Sequence, residues 1–188
     1  MIRLGSDKGV RVIGIDPGSR ICGYGIIEQE SGGNGQDRYT YIASGRIELS
    51  PADPLHSRLN DIYAALTDIV KQYEPSQAAI ERVFFAKSVK AALHLGHARG
   101  VSMIAATSLG LQVYEYSALE VKKAIVGYGR AEKSQVQAMV KAILNLKKTL
   151  SPDSADALAL SICHLNTVRF PGRHFEGASN HRGTETRR

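Results

Sequence analysis

Four acidic residues stand where the sequence otherwise predicts buried structure. Asp16 ends the apolar run VRVIGID, and Glu81 interrupts the apolar run AAIERV. Asp153 and Asp156 begin the segment PDSADALAL, and on a helix a spacing of three residues places both side chains on one face. Carboxylate oxygens, with no histidine or cysteine partner, are the ligands of Mg²⁺ and Mn²⁺ rather than of zinc. The four acids are therefore the candidate reactive groups of the chain.

Each acid also has an ordinary structural explanation. Asp-Pro-Gly, which begins at Asp16, is typical of a tight turn. Glu81 could pair with Arg82 or with a lysine where a strand ends. Acids in the first turn of a helix interact favourably with the helix dipole. The dipole does not explain why Ala-Leu-Ala-Leu follows Asp156, a pattern that turns this face of the helix toward the core.

The hydrophobic pattern predicts the elements that hold these acids. Three strands separated by the turns DPGS and SGGNGQD predict an antiparallel meander over 10–16, 22–29 and 38–49. Apolar residues at helical spacing predict a helix over 54–73. The next predicted elements are the strand QAAIERV, the helix AKSVKAALHLGHARGVSMIAATSL and the strand LQVYEY. A capping box from Ser117 to Glu120 predicts the start of a short helix that runs through Val126. Two further helices are predicted over EKSQVQAMVKAILNL and over PDSADALALSICHLNTV, and Ser151 is the predicted N-cap of the last one.

This order, βββαβαβα with terminal helices, predicts a single α/β domain. If the first and fourth strands are neighbours, Asp16 and Glu81 meet at one end of the sheet. Four converging carboxylates would repel one another, which raises some of their pKa values and destabilises the fold. Divalent metal removes that conflict, and two ions can activate water and stabilise the leaving oxygen of a phosphodiester. The sequence thus predicts Asp16 to be a metal ligand.

The charge of the chain favours a polyanionic partner such as nucleic acid. Its 188 residues carry a formal net charge of +6, and the segment 169–188 holds five arginines against two glutamates. Cys22 and Cys163 lie in apolar stretches without metal-ligand spacing, so we expect two buried free thiols. No apolar run approaches the ~20 residues that cross a membrane. We expect a soluble cytoplasmic protein with no membrane partner.

Four segments together resemble the crossover junction endodeoxyribonuclease RuvC family, the bacterial Holliday-junction resolvases. They are GIDPGSRICGYGII, AIERVFFAKSVKAALHLGHARG, VKKAIVGYGRAEKSQVQ and PDSADALALSICH, in order between Val10 and Val168. The resemblance implies a ribonuclease H-like fold with a five-stranded mixed sheet flanked by helices. It also implies a homodimer that nicks two strands of like polarity in a four-way DNA junction and leaves 5′-phosphate and 3′-hydroxyl ends.

The resemblance assigns roles to particular residues. Catalysis and the binding of two Mg²⁺ ions per subunit, with Mn²⁺ as a substitute, fall to Asp16, Glu81, Asp153 and Asp156. Phe84 resembles the aromatic that stacks on opened bases, although a core phenylalanine beside Phe85 is the alternative. Lys122 and Lys133 match positions that face the DNA backbone, although either could be a solvated surface lysine. Arg20, Arg82 and Lys87 rank lower as phosphate contacts. RuvA and RuvB are the implied protein partners.

Several segments and alternatives stand beside this assignment. Residues 1–9 predict an N-terminal extension, 10–168 the nuclease domain, and 169–188 a basic flexible tail. Sugar kinases and actin-like ATPases share the glycine-rich hairpin after an acid, but they need two such folds around a nucleotide. A ribosomal RNA-processing nuclease with a similar start fits the length of the chain. It is disfavoured because it does not account for the segments VFFAK and AEKSQVQ. A junction-binding module that has lost cleavage is disfavoured because all four acids are present.

Overall fold

The computed structural model describes residues 9–30, 38–82 and 88–169. Phe84, Lys87 and nearly all of both terminal segments lie outside these residues, so the predicted domain boundaries stay predictions. The described elements are β1 (Val10–Asp16), β2 (Ile21–Glu30), β3 (Arg38–Glu48), α1 (Leu55–Tyr73), β4 (Gln77–Arg82), α2 (Val89–Thr107), β5 (Gln112–Ser117), α3 (Ala118–Val126), α4 (Lys133–Ile143) and α5 (Pro152–Arg169).

A five-stranded mixed sheet with the order β3-β2-β1-β4-β5 forms the middle layer of the described residues. The first three strands are antiparallel neighbours, as the short turns predict. β4 is parallel to both β1 and β5, and it lies between them. The prediction that the first and fourth strands are neighbours is therefore confirmed, and the carboxyl ends of β1 and β4 lie at the same edge of the sheet.

Helices cover both faces of the sheet because the strands alternate their side chains. Val12 belongs to the apolar cluster formed with α3, α4 and α5. Ile13 and Ile15 belong to the cluster on the other face, formed with α1 and α2. Asp16 follows the alternation of Val12 and Gly14, so its side chain belongs to the face that α5 covers.

Local signals set the helix ends. Ser117 and Glu120 form the predicted capping box of α3, and the Ser151 hydroxyl accepts a hydrogen bond from the Ser154 N–H at the start of α5. The helix α4 is shorter than its hydrophobic pattern predicts, because Asn145 adopts a left-handed conformation with φ of 50°. The Leu146 N–H then donates to the Lys141 carbonyl and closes the helix.

The last helix is the most deeply buried. A Cβ at Gly14 would lie 1.9 Å from the Ala157 carbonyl oxygen, and one at Gly25 would lie 2.7 Å from the Leu158 nitrogen. Glycines therefore let the backbone of α5 rest directly on β1 and β2. Close packing against α5 therefore requires glycine at both positions.

A buried histidine joins α5 to β4 and β5. His164 is fully buried, its Nε2 lies 2.7 Å from Gln77 Oε1 and its Nδ1 lies 2.6 Å from the Tyr116 hydroxyl. Because the Gln77 oxygen can only accept, the Nε2–H donates to it and Nδ1 accepts from Tyr116. Burial lowers the pKa of His164 from 6.5 to about 4, so the ring is neutral at physiological pH.

We expect His164 to make stability depend on pH. A pKa that is lower in the folded than in the unfolded state contributes stability above pH 6.5, and this contribution is lost as the pH falls toward 4. The full loss is about 3 kcal/mol. Urea unfolding of the wild type and His164→Gln in EDTA, at several pH values in this window, measures it. The free energy of unfolding should fall more steeply for the wild type; parallel profiles would contradict the prediction.

The structure also bears on the two cysteines and on membrane-spanning helices. Cys22 and Cys163 are both buried and free, as predicted. Among the helices of the described residues, none is sufficiently long and apolar to span a membrane.

Candidate active site

Strand pairing brings the first two acids together. The parallel ladder of β1 and β4 pairs Ile15 with Ile80, so the next residues, Asp16 and Glu81, lie side by side on neighbouring strands. Both are partly buried. Asp16 lies two residues after Gly14, and Glu81 lies two residues after its partner Ala79. Because side chains alternate along a strand, both carboxylates lie on the same face of the sheet. The sheet edge thus presents a pair of acids to α5.

The N-terminal end of α5 supplies the other two acids. The cap at Ser151 fixes where the helix begins, so that Asp153 lies in the first turn and Asp156 follows three residues later on the same face. A Cβ at Gly23, the β2 partner of Asp16, would lie 2.3 Å from the Asp153 carbonyl oxygen. The absence of a side chain at Gly23 therefore sets how closely this end of the helix approaches Asp16.

The electrostatics show that the acids act on one another. Burial, followed by the charges of Glu81 and Asp156, raises the pKa of Asp16 from 3.8 to about 7, and Asp153 contributes in the same direction. Burial and the charge of Asp156 also raise the pKa of Glu81. Burial raises the pKa of Asp156 as well, although Lys133 opposes this shift. The predicted repulsion between converging carboxylates is present.

Lys133 supplies a cation within the group. Its Nζ lies 2.5 Å from Asp156 Oδ2. Burial lowers the pKa of Lys133, but the hydrogen bond to Asp156 and the charges of Asp156 and Asp16 outweigh this effect, and the net shift is upward. The acids border a cleft of about 400 Å³ that is lined by Asp16, Glu81, Ala118, Val121, Lys122, Lys133, Val136, Asp156, Ala159 and Leu160.

The donor set fits Mg²⁺ or Mn²⁺. Within the part of the chain that the structure describes, no group of three or more His, Cys, Asp or Glu side chains is placed to enclose a metal ion. Magnesium does not require such a group, because it keeps several waters and binds one or two carboxylates together with substrate phosphates. The raised pKa of Asp16 shows that negative charge is unfavourable in this group of acids, and Asp156 already pairs with the ammonium group of Lys133. A hydrated divalent cation would relieve the same repulsion between the carboxylates.

The residues predicted to contact DNA lie at different places in the structure. Lys122 and Lys133 both line the cleft. Arg20 is exposed in the turn after Asp16. Arg82 belongs to the opposite sheet face, where its Nε lies 3.8 Å from Glu115 Oε2. Phosphate contacts by Arg20 and Arg82 stay predictions, as do the roles of Phe84 and Lys87, which fall outside the described residues.

Arg58 supports the site, although none of the sequence motifs contains it. The buried side chain of Arg58 donates from Nη1 to the Ser19 carbonyl at 2.7 Å, which ties α1 to the turn that follows Asp16. Arg58 lies three residues after Leu55 and four before Ile62, so it shares their helix face. This spacing is the signal that could have identified Arg58 as buried.

A family model and individual relatives of the chain carry the same family description. The model of the family "Crossover junction endodeoxyribonuclease RuvC" matches residues 12–164. The chain is 51% identical over 158 residues to the protein of that name from Shewanella frigidimarina, with 84% of this chain and 88% of the relative covered. It is 46% identical over 163 residues to the protein from Magnetococcus marinus, with 87% of this chain and 88% of the relative covered.

Solved structures agree with these relatives. The structure described as Thermus thermophilus RuvC in complex with a Holliday junction substrate superimposes with a TM-score of 0.79 at 31% identity. The match covers 86% of this chain and 96% of the other. The predicted ribonuclease H-like α/β fold is thereby confirmed.

Proposed function

Since the chain belongs to the crossover junction endodeoxyribonuclease RuvC family, we propose that it resolves Holliday junctions with its four acids as the catalytic groups. The chain is an endodeoxyribonuclease, a hydrolase that acts on four-way DNA. The observation that carries the assignment of the site is the adjacency of Asp16 and Glu81 on neighbouring parallel strands, with Asp156 and Lys133 beside them.

The acids supply the ligands of a hydrolytic centre. In this proposal Asp16 would contribute to both ions, together with Asp153 and Asp156 for one and with Glu81 for the other, and waters and substrate phosphate would complete the coordination of each ion. Two Mg²⁺ ions bound there would supply a hydroxide nucleophile and stabilise the leaving 3′-oxygen, and Mn²⁺ can substitute for them. The ends left on the DNA would be a 5′-phosphate and a 3′-hydroxyl.

The lysines of the cleft bind the DNA backbone in this proposal. Lys133 is 59% exposed, and its ammonium group can leave Asp156 for a substrate phosphate when metal takes its place. Lys122 borders the same cleft from α3 and can hold the neighbouring phosphate. Both contacts position the strand without reading its sequence. RuvA and RuvB as partners and a cytoplasmic location stay predictions from the resemblance.

An end-labelled immobile four-way junction tests the proposed function directly. The purified protein is incubated with the junction and with a matched linear duplex, each in Mg²⁺ and in EDTA. Paired, symmetric nicks in the junction alone, and with Mg²⁺ alone, are the expected result. Binding without cleavage would favour a junction-binding module, and equal cleavage of the duplex would favour a general nuclease.

The outer face of α2 supports assembly as a homodimer. Leu93 and Ile104 are 57% and 59% exposed, and between them lie Gly96 and Gly100, where an added Cβ would meet nothing within 4 Å. Gly96, Gly100 and Ile104, together with residues of α1, line an apolar groove of about 440 Å³. A second copy of the chain is the occupant that fits, because two like strands must be cut and two-fold pairing uses one face of each copy.

We expect Gly100→Glu to convert the dimer to a monomer. A charged side chain at this position is tolerated by the isolated subunit, since the added Cβ meets no neighbour, but it would be buried without a partner between two helices. Analytical ultracentrifugation measures the mass, with Ala142→Glu on the exposed surface of α4 as the matched control. A Gly100→Glu protein of dimeric mass, or a monomeric wild type, would disprove this interface.

A further inference from the structure

Behind the acids, on the sheet face that α2 covers, lies a group of charged side chains that the proposed mechanism does not use. It consists of Arg82 on β4, Arg99 on α2 and Glu115 on β5. Glu115 interrupts a strand whose alternate residues Tyr114 and Tyr116 pack toward α5, so its own side chain belongs to the α2 face.

Arg99 makes two directed contacts with one guanidinium group. Its Nε donates to the backbone carbonyl oxygen of Glu81 at 3.1 Å, and its Nη2 lies 2.7 Å from Glu115 Oε2. The side chain is 23% exposed. Glu115 also accepts from Arg82 through its backbone carbonyl at 3.2 Å, which joins the ends of β4 and β5 on this face.

The position of Glu81 explains why such a tether is useful. The ladder between β1 and β4 ends at the pair Ile15 and Ile80, and Glu81 continues only in the ladder with β5. At this point the strand carries a carboxylate that Asp156 repels. A hydrogen bond to the Glu81 carbonyl from the opposite face fixes the backbone to which that carboxylate is attached.

We infer that Arg99 is a positioning residue that holds Glu81 in the geometry needed to bind metal, acting through the Glu81 backbone and anchored by Glu115. The inference rests on the proposed role of Glu81 as a metal ligand. A lysine cannot reproduce it fully, because a single ammonium group lacks the planar fork that reaches a carbonyl and a carboxylate together.

The expected effect is a loss of metal affinity with junction binding unchanged. Groups that orient a metal ligand typically change affinity by ~10- to 100-fold when they are removed, and we expect Arg99→Met to raise the Mn²⁺ concentration for half-maximal binding by an amount in this range. Electron paramagnetic resonance of free Mn²⁺ measures binding to the protein without DNA, and the metal dependence of junction cleavage should shift in parallel. Arg99→Lys should show a smaller shift.

The chain offers a matched control at the other end of the sheet. Arg11 uses the same kind of bridge, since its guanidinium contacts the Glu28 carboxylate and the Tyr73 backbone carbonyl. Arg11→Met should lower the melting temperature to a degree similar to Arg99→Met. It should leave the Mn²⁺ titration at its wild-type position, because Arg11 lies at the opposite end of β1 from Asp16.

The outcomes separate this inference from the proposed function. A Mn²⁺ shift in Arg99→Met and not in Arg11→Met supports it, and equal titrations in the two variants overturn it. If Arg99→Met does not fold, Glu115→Gln removes the anchor and is judged by the same criterion. Glu81→Gln is measured beside them: cleavage at the wild-type rate in that variant would contradict the proposed function itself, whatever Arg99 does.

Discussion

We expect Asp16→Asn to abolish cleavage of the four-way junction while leaving junction binding in EDTA nearly unchanged. Asp16 is shared between both proposed ion positions, and its carboxylate lies beside Glu81 at the edge of the sheet. An amide keeps the shape of the side chain but loses the charge that holds the cation. Losing several kcal/mol of transition-state stabilisation corresponds to a loss of rate of ~10³-fold or more. Single-turnover cleavage and gel-shift titration measure the two quantities separately.

The same substitution should stabilise the protein without metal. The folded-state pKa of Asp16 is raised, so the stability that the protonated group contributes is present below pH 3.8 and is lost as the pH rises through about 7. At pH 8 the ionised group costs on the order of 4 kcal/mol at most, and Asn removes this cost. We expect a higher melting temperature for the variant in EDTA, and a smaller rise on adding Mg²⁺ than for the wild type. Loss of junction binding would instead indicate a structural role for Asp16.

We expect Gly23→Ala to reduce cleavage by ~100-fold or more, although Gly23 carries no reactive group. The new methyl would lie 2.3 Å from the Asp153 carbonyl oxygen, a separation that real Cβ atoms do not tolerate, so the first turn of α5 must move away from the sheet. Because this turn carries Asp153, and Asp156 follows it on the same face of the helix, the distance of both acids from Asp16 would increase. Displacements of about 1 Å at a reacting centre cost rates of this order.

A control for general destabilisation accompanies this variant. Overpacking costs about 1–3 kcal/mol, so Gly23→Ala is compared with Leu66→Ala, which removes a fully buried side chain of α1 on the opposite face of the sheet. Leu66→Ala should lower the melting temperature at least as much and keep most of its activity at a temperature where both proteins are folded. Equal activities in the two variants would mean that the spacing between Gly23 and α5 does not control catalysis.

Much of the architecture follows from local patterns in the sequence. Turn residues limit the first three strands, and the apolar spacing of α1 gives its length within one residue. The serine caps of α3 and α5 place Glu120 and Asp153 in their first turns. These signals act between residues that are near in sequence, so they can be identified without knowledge of the tertiary structure. The α4 helix departs from its pattern because a left-handed residue at Asn145 ends it before its apolar periodicity does.

The acids themselves were identifiable because each is a charge in an apolar context, and the resemblance of four segments assigned them a role. The sequence by itself determined which residues carry the chemistry and on which strands and helix they stand. Only the tertiary structure decided how they are held: the pairing of Lys133 with Asp156, the tie from Arg58 to Ser19, and the bridge from Arg99 to Glu81. Such contacts join residues far apart in the chain, and a single cationic side chain on a helix looks the same in sequence whether it faces water or a carbonyl. Packing of the helices on the twisted sheet selects between these outcomes, because burial makes an unpaired charge costly and leaves only the paired arrangement stable.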